Sequence, residues 1–223
     1  ETAFHKTPVE DRNSFQQMFY TLNVGFQYIR KSPFLIVMLM ICLFYGLYSE
    51  GLDRLWIAHI LENVSLPSVE MKPIIWVGTI NGLAMITSIC AVEYIKRVLK
   101  KTGKLQKIWL LILINFMMVA TIIVFGLAKN FTMAFSAYMS FYILRTTNSP
   151  IYRAWINENI DSNARATVLS AYAQIDSLGQ ILSGPIIGFI AYKTNTAVSI
   201  IASGLILSPV LVLYFYLLRK SHG

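Results

Sequence analysis

Six long apolar runs, separated by short polar turns, organise this chain. They extend from Pro33 to Leu52, Pro73 to Tyr94, Ile108 to Leu127, Phe131 to Trp155, Ala166 to Tyr192 and Ala197 to Leu218. Each is close to or above the roughly 20 residues a helix needs to cross a bilayer. Pro33, Pro73 and the Asp161-Ser162-Asn163 cluster stand at span starts, where a missing amide hydrogen or a capping oxygen fits best. Ahead of the first span, Phe15, Met18, Phe19, Leu22, Phe26 and Ile29 recur at helical spacing with Arg12, Gln16, Asn23 and Arg30 between them. That pattern predicts an amphipathic helix lying at the membrane surface. The expected organisation is a polar tail and amphipathic linker helix over residues 1–31, then a six-helix transmembrane domain over 32–223.

Composition agrees. Of 223 residues, 56% are hydrophobic and 13% charged, against roughly 45–50% and 25% in soluble domains. Six spans of about 21 residues would account for that apolar excess, which excludes an ordinary soluble domain and a disordered chain. Cys42 and Cys90 both lie inside apolar runs and read as small buried hydrophobes. The chain opens on Glu1 with no charged-then-apolar leader, and is expected to be a piece of a longer protein.

A net charge of +8 would point to nucleic acid in a soluble protein. Here the charges sort by side of the membrane, and no nucleic-acid partner is expected. With the amino terminus cytoplasmic, only Arg54, Lys72, Lys129 and Lys193 fall outside; Arg145 lies within a span and the other fourteen Lys and Arg residues fall inside. The positive-inside rule then places both termini in the cytoplasm of a multi-pass cell-membrane protein. Six of the inside charges crowd between Lys96 and Lys107, an anchor for topology and an attraction for anionic lipid. Because three is odd, the second trio of spans runs opposite to the first, the layout of two inverted three-helix repeats.

Recognisable catalytic chemistry is missing from the sequence. It has no Asn-Pro-Ala pair, no Thr-Val-Gly-Tyr-Gly filter, no Gly-x-Ser-x-Gly or His-Glu-x-x-His, and no phosphate-binding glycine loop with lysine. His5, His59 and His222 fall outside the spans and share no ligand spacing. An enzyme is not expected, nor is a cofactor or a metal.

The most distinctive stretch runs from Pro150 to Gly188. It holds Pro150-Ile151-Tyr152-Arg153-Ala154-Trp155-Ile156-Asn157, then Arg165-Ala166-Thr167-Val168-Leu169-Ser170, then Gly179-Gln180-Ile181-Leu182-Ser183-Gly184-Pro185-Ile186-Ile187-Gly188. These residues resemble the tenth and eleventh helices of a major facilitator superfamily transporter, closest in appearance to its drug-efflux members. The layout of the whole chain resembles the carboxy-terminal six-helix half of that twelve-helix fold, with 1–31 as the linker between halves. Phe189 stands where the family's antiporter motif usually carries a further glycine, and the basic loop lacks a clean copy of the family's loop signature.

The resemblance implies secondary active transport of a small molecule, proton-coupled efflux of drug-like compounds by alternating access, as in a multidrug antiporter. It also implies an essential partner, the missing amino-terminal six-helix half. Nutrient uptake by the same fold, and a non-transporting membrane module, stand as alternatives.

Within the spans, ionisable and polar groups mark candidate sites. Asp176 lies roughly 16 Å into its span, near the midplane, flanked by Gln174 and Gln180 with Asn81 at similar depth. It is expected to contact substrate or carry a proton, or else to hold helices together by hydrogen bonding. Glu50 is a second candidate carboxylate, with Arg54 at i+4 for a local ion pair at the outer end of the first span. Tyr45, Tyr48, Tyr138 and Tyr142 offer aromatic walls for an amphiphilic substrate. Glu93 and Arg145 are expected to pair as a cytoplasmic gate. Gly184, Pro185 and Gly188 are expected to kink the fifth span, the glycines sharing a face with Ser177 where another helix could approach closely.

Overall fold

The computed structural model describes residues 30, 32–67, 72–160 and 165–220. The amphipathic segment ahead of Pro33, Arg30 apart, and the Asp161-Ser162-Asn163 cluster lie outside the described residues. Among the described residues seven helices follow in order: α1 Pro33–Asn63, α2 Pro73–Leu99, α3 Lys104–Leu127, α4 Phe131–Asn157, α5 Arg165–Lys193, α6 Thr196–Leu207 and α7 Pro209–Lys220. Among the described residues no strand forms; one isolated bridge joins Ser65 to Asn130.

Helix starts follow local chemistry. Ser32 accepts from the Leu35 amide and Pro33 occupies the first turn of α1. Pro73 opens α2, Asn130 caps α4 through the Met133 amide at 2.8 Å, and Asn195 caps α6 through the Val198 amide at 2.9 Å. Threonine hydroxyls inside the apolar helices donate back one turn, as Thr79 does to Ile75, Thr87 to Leu83 and Thr121 to Met117, each at 2.8 Å. In lipid such internal satisfaction is required, because no water is available.

Among the described residues, five segments are long and apolar enough to cross a membrane: α1, α2, α3, α5 and the continuous stretch α6–α7. The protein is a multi-pass helical membrane protein. The sixth long helix, α4, has 27 residues but carries Arg145, Thr146, Thr147, Asn148 and Ser149 in mid-course. Of these, Thr147 and Asn148 are buried, Arg145 and Thr146 half-buried and Ser149 exposed.

Two spans differ from expectation. The first does not end at Leu52 but continues as α1 to Asn63. Glu50, Asp53 and Arg54 read as the end of a span, yet the helix runs through them because each charge finds a partner: Glu50 pairs with Arg54 one turn on, and Asp53 reaches across to Arg145 on α4. The last span divides at Ser208, where Pro209 lacks the amide hydrogen that would continue the ladder.

Packing assigns positions. Helix α1 packs on α5, α6 and α7; α3 packs on α4, α6 and α7; α2 packs on α4. In its most apolar window α1 is 61% buried, whereas α2 is 22% and α5 17% buried, so α1 is central and the other two peripheral. Trp155, Tyr152, Tyr214, Phe125 and Phe141 are the largest fully buried side chains. Outward faces carry Ile74, Ile89, Ile181 and Val212, the lipid-facing surface expected of such a bundle.

Candidate functional site

Three helices turn polar and aromatic stripes toward one cavity. Along α1 the stripe is Tyr45, Tyr48, Ser49 and Asp53; along α4 it is Tyr142, Arg145, Thr146, Asn148, Ser149 and Tyr152; along α5 it is Tyr172, Asp176 and Gln180. Steps of three and four residues keep each set on one helical face. The open cavity they line has a volume of about 490 Å³.

The approach of α5 to α1 fixes the depth of Asp176. Neither Gly46 nor Gly179 has room for a side chain. A Cβ on Gly179 would lie 2.6 Å from the Leu43 carbonyl oxygen and 3.0 Å from the Gly46 Cα, and one on Gly46 would strike the Asp176 carbonyl oxygen. The backbones touch there, and side-chain bonds flank the contact. The Cys42 thiol donates to the Tyr172 carbonyl at 3.1 Å, and the Ser183 hydroxyl donates to the Leu47 carbonyl. Close approach through small residues is the usual basis of helix association in lipid.

Arg145 and Asp53 form the cavity's ion pair. Two parallel bonds join guanidinium to carboxylate, the Nη2–Oδ2 bond at 2.7 Å, and the guanidinium lies 5.9 Å from the ring centroids of both Tyr48 and Phe141. Planar bidentate geometry of this kind gives orientation as well as attraction. Asp176 differs. Its Oδ2 accepts from Gln180 Nε2 at 2.9 Å, and among the described residues no lysine or arginine forms an ion pair with it.

A second cavity of about 580 Å³ lies between α4 and α5, bordered by Arg153, Asn157, Leu169 and Ser177, and it shares Tyr172 and Asp176 with the first. Asp176 therefore sits where the two spaces meet. Behind the first cavity, buried polar groups tie the helices together. The phenols of Tyr45 and Tyr214 are 2.9 Å apart, Asn115 donates to Asn148 at 3.1 Å, and Tyr152 donates to the Met38 carbonyl at 2.9 Å.

Of the residues singled out from sequence, Tyr45, Tyr48, Tyr142, Arg145, Asp176 and Gln180 line the first cavity. Others lie elsewhere. Tyr138 is buried and stacks on Trp56 with centroids 4.6 Å apart. Gln174 is exposed, two residues and so about half a turn from Asp176. Asn81 is half-buried on α2 and borders neither cavity. Glu50 pairs locally with Arg54, as its spacing predicts.

The expected Glu93–Arg145 gate does not form. Glu93 is exposed and pairs with Arg97 one turn on at 3.6 Å, while Arg145 is held by Asp53. A partner on the neighbouring face of α1 satisfies the guanidinium more directly than one at the far end of α2. Within this chain Gly184 and Gly188 make no close helix contact: nothing among the described residues lies within 4 Å of a Cβ built on either. They face outward, and α5 continues unbroken past Pro185.

Sequence reasoning missed Tyr172, Asn148, Tyr152 and Asp53 as members of the site. The signal was present in part, since Tyr172, Asp176 and Gln180 are spaced by four and Asp53 falls eight residues after Tyr45. No family model matches this chain, and no curated protein matches it.

Proposed function

We propose that this chain is the carboxy-terminal half of a secondary active transporter of the major facilitator type, moving a small molecule by proton-coupled export. One observation carries the reading: a polar, aromatic cavity of about 490 Å³ is set among membrane-spanning helices and contains two carboxylates and an arginine. Intramembrane charges are expensive, and a cavity is where function retains them. Asp176 has a hydrogen-bond partner but no cationic partner among the described residues, which suits a group that exchanges a proton or meets substrate.

The packing also supports the reading. Exchanging α1 with α4, α2 with α5 and α3 with the α6–α7 stretch converts the α1–α5 contact into α4–α2, and the α3–α4 contact into one between α6–α7 and α1, all of which occur, although the α5–α6 packing has no α2–α3 counterpart of similar extent. Two inverted three-helix units related by a two-fold axis would pack in this way. Both termini are cytoplasmic in this proposal, with the lysine-rich α2–α3 turn on the same side. A cavity bordered by only three helices needs a further wall, which the amino-terminal six-helix half would supply.

The test is flux. The complete transporter, reconstituted in vesicles with an imposed pH gradient, is challenged with a panel of amphiphilic drugs, sugars and peptides. Gradient-driven movement of an amphiphilic compound is the expected result. Movement of nutrients alone would turn the reading to uptake, and no movement of any compound in correctly folded protein would reject it.

A further inference from the structure

The outer surface carries a separate feature where α3 meets α7. An apolar groove of about 230 Å³ runs between them, lined by Trp109, Ile112, Leu113 and Phe116 of α3 and by Leu211 and Phe215 of α7. Its walls are open to the surroundings: Trp109 is 51% and Phe116 60% exposed. Trp109 and Phe215 meet edge to face, 6.2 Å between centroids, at one end of the groove. From Trp109 to Phe116 the groove extends roughly 10 Å along α3, about a third of the hydrocarbon thickness of a bilayer.

Beyond that aromatic end the surface becomes basic. Arg219 follows Phe215 by one turn of α7, and Lys220 borders a hollow with Ile108, Phe34 and Trp155, which places the end of α7 beside the start of α3. Arg219 and Lys220 are both exposed in that last turn. Glu158, which follows α4, is already engaged: its carboxylate takes the Lys107 ammonium and its carbonyl accepts from Lys104 at 3.0 Å. A tryptophan at the boundary between an apolar groove and a cationic end marks headgroup depth.

We propose that this groove binds one anionic phospholipid, its acyl chain lying on the α3–α7 walls and its phosphate held by Arg219 and Lys220. Charge selects the occupant. A zwitterionic headgroup would bring its own ammonium toward two cations, whereas a net-negative headgroup gains from both. The inference requires only that the chain spans a bilayer, and it stands apart from the transport reading.

Native mass spectrometry of the full chain in mild detergent tests it, with phosphatidylglycerol and phosphatidylcholine of matched acyl chains as probes. Phosphatidylglycerol is expected to be retained several-fold more. In the Arg219→Gln, Lys220→Gln double variant that preference is lost. Leu113→Trp, which fills the groove, lowers retention of both lipids, while Lys100→Gln with Lys101→Gln leaves the preference in place. Equal retention of the two lipids by the unaltered chain would overturn the proposal. So would a preference that survives the Arg219, Lys220 change but disappears with the Lys100, Lys101 change, which would mark diffuse attraction to the basic loop.

Discussion

Arg145 of α4 grips the Asp53 carboxylate of α1 through two parallel bonds, across the wall of a cavity that also holds Asp176. The side chains are 32% and 44% exposed, so the pair lies between a surface bridge and a buried one. Removing either partner is expected to cost roughly 1–3 kcal/mol. Asp53→Asn and Arg145→Gln should each lower the thermal unfolding midpoint in detergent. The double change to Asp53→Arg with Arg145→Asp should recover part of that loss, while Glu93→Gln leaves the midpoint unchanged. Equal losses from Glu93→Gln would restore the sequence-based pairing.

Gly46 and Gly179 set the distance between α1 and α5. Gly179→Ala places a methyl 2.6 Å from the Leu43 carbonyl oxygen, and overpacking of this kind costs roughly 1–3 kcal/mol. Gly184→Ala and Gly188→Ala enter open space and, by replacing glycine in a helix, should be neutral or slightly stabilising. Unfolding midpoints of the three variants distinguish the faces directly.

Much of the fold was legible because periodicity and length are local properties. The proline starts, the six long segments and the Glu50–Arg54 pair all follow from spacing along one helix. What was not legible depended on facing. Smallness at Gly184 and Gly188 is visible in the sequence, but which glycines meet another backbone is decided by helix rotation, and that selected Gly46 and Gly179. The partner of Arg145 lies 92 residues away, and Asp53 was read as a span end because a charge in an apolar run looks like a boundary until its partner is known. The break at Ser208 had a local sign in Pro209, hidden by the unbroken apolarity around it.

Lys107 carries a charge into the base of α3, where its side chain is only 5% exposed and Glu158 is its carboxylate partner. Glu158→Gln leaves a buried cation without its counter-charge and should destabilise by roughly 2–4 kcal/mol. Lys107→Met removes the cation and keeps the stem's apolar contacts, so a smaller effect is expected. Chemical or thermal unfolding of the two variants in detergent checks the order.

Gln180 bonds to Asp176 and lines the cavity, whereas Gln174 is exposed on another face of α5. On the proposed transport function, Gln180→Ala in the reconstituted protein should change apparent substrate affinity by about tenfold, the scale of one hydrogen bond to a charged group. Gln174→Ala should match the parent. A reversed pattern would place the pathway on the other side of α5.

The proposal that Asp176 belongs to a transport path is tested most directly by gradient-driven flux in vesicles carrying the full-length protein or its Asp176→Asn variant, matched for folding and membrane insertion. Flux in the variant is expected to collapse, and its response to the imposed pH gradient to be lost. Flux at the parent's rate, with the same pH response, would contradict it and leave Asp176 as a carboxylate that only joins helices.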